Sequence, residues 1–152
     1  MHGVILVSLF MALFLVVNYA HEGGFEKGGF ERIGPDRDGN VRIAVGDLEP
    51  GEVRFYRFLN TGNQEAKLFV GRDHEGEIHV AFDANEQCFK AKRGYTYKDG
   101  WLTCRKCEKS FKLSEVNDDL GGCAPVAVRH VVEGDRLVIA ENAVLEGWRF
   151  FR

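Results

Sequence analysis

All four cysteines of the 152-residue chain lie between positions 88 and 123, namely Cys88, Cys104, Cys107 and Cys123. Their spacing is C-x15-C-x2-C-x15-C. A C-x2-C pair lets two thiolates converge on one ion, and hairpins can bring the outer two cysteines to the same place. The glycine pair 121–122 permits a close backbone approach just before the last cysteine. The spacing therefore predicts one four-thiolate metal site.

Several kinds of chemistry suit four thiolates. Zinc, an iron–sulfur centre and Cu(I) all accept this donor set. Two disulfides are the alternative in an oxidising compartment, and free thiols are a further one. Haem attachment at the C-x2-C pair is excluded because Glu108, and not histidine, follows Cys107. A thioredoxin-like redox site is not favoured because no βαβ pattern surrounds Cys104.

The sequence from 41 to 152 has short runs of β-forming residues separated by turns, and it shows no long helical period. Residues 78–82 alternate with period 2, with His79 and Ala81 on the side opposite Ile78, which predicts a half-buried strand. Asp99-Gly100 between two β-forming runs is a hairpin signal. We expect an all-β domain over 41–152, a small sandwich or barrel-like fold of seven to nine short antiparallel strands.

The N-terminal segment differs from this domain. Gly3 to Ala20 contains no charged side chain, and its length is at the lower limit for spanning a bilayer. A cleaved secretory signal, an uncleaved anchor and a helix buried in an oligomer are all compatible with such a segment. The start lacks Lys and Arg, and Tyr19-Ala20 is a mediocre cleavage site, which favours retention.

We therefore expect residues 1–20 to form an N-terminal hydrophobic helix that anchors the chain, followed by a Gly-rich tether over 21–40. The β domain is expected on the extracytoplasmic side of the membrane. Cleavage after Ala20 would instead make the protein secreted and leave His21 at the amino terminus, where it could chelate copper.

The charge pattern and the other polar residues exclude some functions. A net charge of −3 and a pI near 6.0 argue against a nucleic-acid partner. No Ser–His–Asp order, phosphate loop or paired carboxylate motif is present, so an enzyme is the less favoured class. Three histidines are expected at solvent or edge positions: His74, His79 and His130. Four acidic residues are expected in turns or as caps: Asp83, Glu86, Asp118 and Asp119.

Several of these residues occur in an order that resembles a known family. The segments 81–84, 94–95 and 121–125, together with the four cysteines and Phe111, are similar to the FtrD-like membrane iron–sulfur proteins. The resemblance covers about 41–139. It implies a membrane-linked, exported, metal-binding domain associated with iron transport, and it favours an iron–sulfur cofactor. The chain has Asn85 where the family commonly has the first cysteine of a C-x2-C ending at Cys88, so zinc and copper remain open.

Two functions follow from these observations. The first is an exported, membrane-anchored metal-binding protein that uses the four-cysteine site in electron transfer or in iron or metal handling. Its partners would be an iron permease or a redox protein. The alternative is a metal-stabilised structural or assembly subunit, with a zinc or copper site, in a larger membrane or extracellular complex.

Overall fold

The computed structural model describes residues 29–152 of the chain. Within these residues, ten strands follow in order: β1 (Glu31–Ile33), β2 (Asn40–Ala44), β3 (Val53–Leu59), β4 (Glu65–Arg72), β5 (Ile78–Phe82), β6 (Tyr95–Lys98), β7 (Trp101–Cys104), β8 (Ser110–Lys112), β9 (Val131–Glu133) and β10 (Arg136–Ala140). The same part of the chain forms one α-helix, α1 (Glu141–Leu145), and three 3₁₀ helices: Phe89–Ala91, Leu113–Glu115 and Trp148–Phe150.

The strands form three sheets with orders β1-β3-β4-β5, β2-β10-β9 and β6-β7-β8. The prediction of an all-β fold with antiparallel sheets is confirmed, apart from the parallel pairing of β1 with β3. We expected seven to nine strands, and the described residues hold ten. Two of these were not expected: β1, which lies in the segment predicted to be a tether, and β8. The domain boundaries stay a prediction.

The expected N-terminal helix over 1–20 lies outside the described residues. Among residues 29–152, no helix is long and apolar enough to cross a membrane. The membrane anchor at residues 1–20 stays a prediction.

The first sheet lies between the other two. One hydrophobic cluster joins Leu68 and Val80 of this sheet to Val41 and Leu137 of the β2-β10-β9 sheet. A second cluster joins the opposite face to the β6-β7-β8 sheet, and its members are Phe69, Ala81, Tyr95, Leu102, Cys104, Leu113 and Val116. Because successive strand residues point to opposite faces, β4 and β5 contribute to both clusters.

This layering overturns the expectation that β5 is half-buried. Four consecutive residues of β5 are buried: His79, Val80, Ala81 and Phe82. The β6-β7-β8 sheet, which carries Cys104, covers the face of β5 that the alternation assigned to solvent. His79 was expected at a solvent or edge position and is instead 4% exposed.

The predicted hairpin at Asp99-Gly100 is confirmed. It joins β6 to β7 with Lys98 opposite Trp101. Asp99 and Gly100 have φ angles of 49° and 86°. Positive φ at both central residues is what a two-residue turn between twisted strands requires, and Asp-Gly adopts it at low cost. This turn places Cys104 at the end of β7.

Candidate metal centre

Three of the four cysteine sulfurs converge. The Sγ atoms of Cys88, Cys107 and Cys123 all lie within 4.8 Å of one another, and those of Cys88 and Cys123 are 3.7 Å apart. Cys88 and Cys107 are half-buried, whereas Cys123 is buried. The structure holds all four cysteines as free thiols. Three chain segments that are distant in sequence thus deliver soft donors to one point.

Cys104 lies beside this group in the core. It is 1% exposed, belongs to the second hydrophobic cluster and ends strand β7. A tight turn links it to Cys107: the N–H of Glu108 donates to the carbonyl of Cys104 at 2.9 Å, and the N–H of Cys104 donates to the carbonyl of Lys109 at 2.9 Å. Glu108 takes a positive φ of 62° to close the turn. Whether Cys104 is a fourth ligand stays a prediction.

Asn85 connects the segments that carry the cysteines. Its Oδ1 accepts the N–H of Cys88 at 2.6 Å, which fixes the turn before that cysteine. Its Nδ2 donates to the hydroxyl of Tyr95 at 2.7 Å and lies 3.6 Å from Sγ of Cys104. The Tyr95 hydroxyl donates in turn to the carbonyl of Cys123 at 2.5 Å.

Sequence reasoning treated Asn85 only as a missing cysteine and missed this connecting role. Asn85 stands three residues before Cys88, and an Asn at such a position is a turn-forming signal that could have indicated part of this role. Tyr95, whose ring lies 1% exposed in the second cluster, carried no such signal.

Asp83 and Gly94 position Tyr95. The Asp83 carboxylate accepts the N–H of Tyr95 at 2.7 Å. A Cβ added at Gly94 would lie 2.2 Å from Oδ2 of Asp83, and Gly94 has a φ of +63°, so glycine is required there. Burial raises the pKa of Asp83 to about 6, although the Tyr95 N–H and the charges of Arg105 and Lys67 oppose the shift. Asp83, which we expected in a turn or as a cap, lies at a bend and is an internal hydrogen-bonding group that accepts the N–H of the first residue of β6.

Cys123 is held by its neighbours. Its thiol donates to Oε1 of Gln87 at 3.0 Å. Gly121 and Gly122 both have positive φ, 63° and 61°, which L side chains rarely adopt. The glycine pair thus turns the chain sharply before Cys123. The close backbone approach that we expected here is not found, because a Cβ added at Gly121 would meet no atom of the described residues within 4 Å and one added at Gly122 would lie nearest to the Gln87 side chain, at 3.4 Å.

The Cys88 thiol is protonated at neutral pH unless a metal replaces its proton. Desolvation, followed by the neighbouring thiols of Cys123, Cys107 and Cys104, raises the pKa of Cys88 to about 12. Metal binding at such a group releases a proton, which makes the affinity depend on pH.

A second group of possible ligands lies elsewhere. Asp73, Glu77 and His79 bring one donor atom each within 4.8 Å of the others. Asp73 Oδ2 and His79 Nε2 are already 2.8 Å apart, and both side chains are buried. Burial acts to raise the pKa of Asp73, but the bonds from His79 and from the backbone N–H of Glu77 hold it below its usual value. The two side chains form a buried hydrogen bond through Nε2 of His79, whereas Nδ1 of His79 is buried and has no hydrogen-bond partner among residues 29–152. His74 is exposed, as predicted, and His130 is half-buried.

The sulfur spacing can be compared with the two kinds of thiolate centre. A single tetrahedral ion with metal–sulfur bonds of about 2.3 Å holds its thiolates about 3.8 Å apart, and the 3.7 Å between Cys88 and Cys123 fits this value. In a sulfide-bridged cluster, thiolates on different irons are also separated by the iron–iron distance. Three thiolates on such a cluster would not all lie within 4.8 Å of one another. The sulfur positions of Cys88, Cys107 and Cys123 match one ion more closely than a polynuclear cluster.

Comparison with known proteins places the chain in a family. A family model described as "Membrane iron-sulfur containing protein FtrD-like" matches residues 48–151. The chain belongs to the FtrD-like family. The resemblance drawn from the sequence is thereby confirmed. All four cysteines of this FtrD-like chain fall within the matched range.

Other comparisons add little. No curated protein matches this FtrD-like chain. A solved structure entitled "Complex of reduced oxygenase and oxidized ferredoxin in carbazole 1,9a-dioxygenase" aligns with 16% sequence identity and a TM-score of 0.45. The alignment covers 68% of this chain and 94% of the other. Similarity at this level carries no conclusion about function.

Proposed function

We propose that Cys88, Cys104, Cys107 and Cys123 bind one metal ion together. The observation that carries this proposal is the convergence of three sulfurs within 4.8 Å from three separate segments. Cys104 supports it as the fourth ligand, because the tight turn to Cys107 is the usual way in which a C-x2-C pair presents two thiolates. Four thiolates suit iron, zinc or Cu(I).

In this proposal the protein is exported and anchored by residues 1–20, and it handles iron or transfers electrons outside the cytoplasm. The family description as membrane iron–sulfur containing proteins supports this role. One iron in four thiolates can change its oxidation state while it keeps its ligands, which suits exchange with a redox protein or with an iron permease. N-terminal sequencing of the native protein tests the anchor, and a start at His21 would contradict it.

A structural role is the second candidate, and one observation favours it. Cys104 is buried in the second hydrophobic cluster, and Cys88 and Cys107 pack against that cluster. An ion there would tie the β6-β7-β8 sheet to the loops at 85–95 and 121–125. Zinc or Cu(I) would stabilise this layer as part of a larger assembly without any change of oxidation state.

Metal analysis of the full chain, purified from its native membrane without oxidants, tests the proposal and separates the two roles. We expect one metal ion per chain and no acid-labile sulfide. Iron with visible thiolate absorption supports the redox or iron-handling role, whereas a colourless zinc or Cu(I) site supports the structural one. Two or more irons with stoichiometric sulfide would show a cluster instead of one ion. Two disulfides with no metal would contradict the site itself.

The four single Cys→Ser variants test the ligand set. Each should lose most of its metal and melt at a lower temperature, because a structural thiolate site supplies on the order of 10 kcal/mol of folding free energy. Ser110→Ala, at an exposed position on the adjacent β8, is the control and should keep its metal. If Cys104→Ser kept its full metal content while the other three variants lost theirs, Cys104 would not be a ligand and the protein would supply three.

A further inference from the structure

A groove lies against the cysteine site. It has a volume of about 880 Å³, and Asn85, Cys88 and Cys104 form part of its lining. The volume is within the range of sites that bind small organic molecules. Aromatic rings line much of the rest: Phe30, Phe55, Phe89, Tyr95, Tyr97, Phe150 and Phe151. The groove therefore offers an apolar interior of ligand size next to the cysteines.

Positive charge is concentrated in this groove. Five cationic side chains line it, although the whole chain carries a net charge of −3: Lys67, Lys92, Arg93, Arg105 and Lys106. Within residues 29–152, none of the five forms an ion pair. Among the described residues, two acidic side chains line the groove with them: Glu65, which is paired with Arg57, and the largely buried Asp83.

The fold holds these cations together. Lys92-Arg93 follows the first 3₁₀ helix, and Arg105-Lys106 lies between the two cysteines of the C-x2-C pair. The N–H of Arg105 donates to the carbonyl of Gly94 at 3.0 Å, which joins the two loops. Because Gly94 is fixed by Asp83, the two basic pairs are positioned by the same contacts that position Tyr95. Like charges held close together without counter-ions favour an anion between them.

We propose that this groove binds a small organic anion, one with several carboxylates on an apolar or aromatic body. The aromatic lining contacts the body, and the two basic pairs bind the carboxylates. The ligand lies against Cys88 and Cys104, so it reaches the edge of the cysteine site. This inference does not rest on the proposed function, since it holds whichever metal the thiols bind.

Benzene-1,3,5-tricarboxylate is a suitable probe, and benzene-1,3,5-tricarboxamide is its neutral counterpart. Calorimetric titration of the full chain should show binding of the tricarboxylate that weakens with added salt. The neutral amide should bind at least tenfold more weakly. Equal affinity for the two probes, or no binding of the tricarboxylate at low salt, would overturn the proposal.

A matched pair of double variants locates the binding. Lys92→Ala with Lys106→Ala removes two groove cations, whereas Lys90→Ala with Lys109→Ala removes two exposed lysines nearby that do not line the groove. Both pairs change the net charge equally. We expect the first pair to weaken tricarboxylate binding about three- to tenfold and the second to change it less than twofold. An equal loss of tricarboxylate affinity in the two double variants would mean that only the overall charge matters, and it would refute binding in the groove.

Discussion

Asp83 shows how one buried carboxyl can make the folding of this domain depend on pH. Burial raises its pKa to about 6, against 3.8 for the unperturbed group. The folded protein therefore holds this proton more tightly than the unfolded chain does. As a result, the contribution of Asp83 to the free energy of unfolding falls as pH rises from about 4 to about 6, and it is constant above that.

We predict that Asp83→Asn removes this pH dependence. Asparagine keeps an oxygen that can accept the N–H of Tyr95 but cannot ionise. The difference in unfolding free energy between the natural protein and the variant should shift by on the order of 2 kcal/mol across this interval. Urea unfolding at pH 4, 5, 6 and 7 measures it. Asp47, Glu52 and Asp73, whose carboxyl pKa values are lowered, are present in both proteins, so their contributions to the pH dependence cancel in the difference. Parallel pH curves for the two proteins would show that Asp83 is not perturbed.

At the scale of elements, the close approach of β4 to the 3₁₀ helix Leu113–Glu115 sets the distance between the first sheet and the β6-β7-β8 sheet. A Cβ added at Gly71 would lie 2.8 Å from Leu113 Cδ1 and 2.8 Å from Val53 Cγ2. Both neighbours are branched side chains in or against the second cluster, so they have little room to move. The absence of a side chain at Gly71 thus sets the distance between the two layers.

Gly71→Ala should therefore lower the free energy of unfolding by about 1–3 kcal/mol through overpacking. Gly62→Ala is the control, because the nearest atom to its added Cβ is 3.4 Å away and belongs to the side chain of Asn60. Chemical unfolding measures both. If Gly71→Ala left the free energy of unfolding unchanged, the 3₁₀ helix that carries Leu113 could shift away from β4 without cost.

Local features of the fold could be predicted from the sequence, whereas features that depend on how the layers pack could not. The Asp99-Gly100 turn was predictable because its backbone requirement is local. The burial of His79 was not, because it depends on a layer that arrives more than fifteen residues later in the chain and covers β5. Period-2 alternation indicates two faces of a strand and does not say what covers each one.

The candidate site was predictable to a similar extent. The four cysteines were identified from spacing alone, and the structure brings Cys88, Cys107 and Cys123 together. The Asn85–Tyr95 hydrogen bond was not foreseen, since it depends on a contact between two loops. The groove cations were also missed. Lys92-Arg93 and Arg105-Lys106 are ordinary basic pairs in sequence, and only the fold places them in one groove.

At the scale of the whole molecule, the two hydrophobic clusters differ in their dependence on the cysteines. The cluster between the first sheet and the β2-β10-β9 sheet contains no cysteine. The cluster under the β6-β7-β8 sheet contains Cys104, with Cys88 and Cys107 packed against it. If the thiols bind a metal, that metal stabilises one side of the molecule directly and the other side only through the central sheet.

Removing the metal should therefore loosen the molecule unevenly. We predict that chelation speeds backbone hydrogen exchange in β6, β7, β8 and the loops at 85–95 and 121–125, because these segments lose their common ligand. Exchange in β2 and β10 should change little, since the first cluster packs their buried residues without any cysteine. Hydrogen-exchange mass spectrometry of the metal-loaded and chelated full chain measures both sides in one sample. A uniform increase across both clusters would show that the domain unfolds as one unit and that the metal supports all of it.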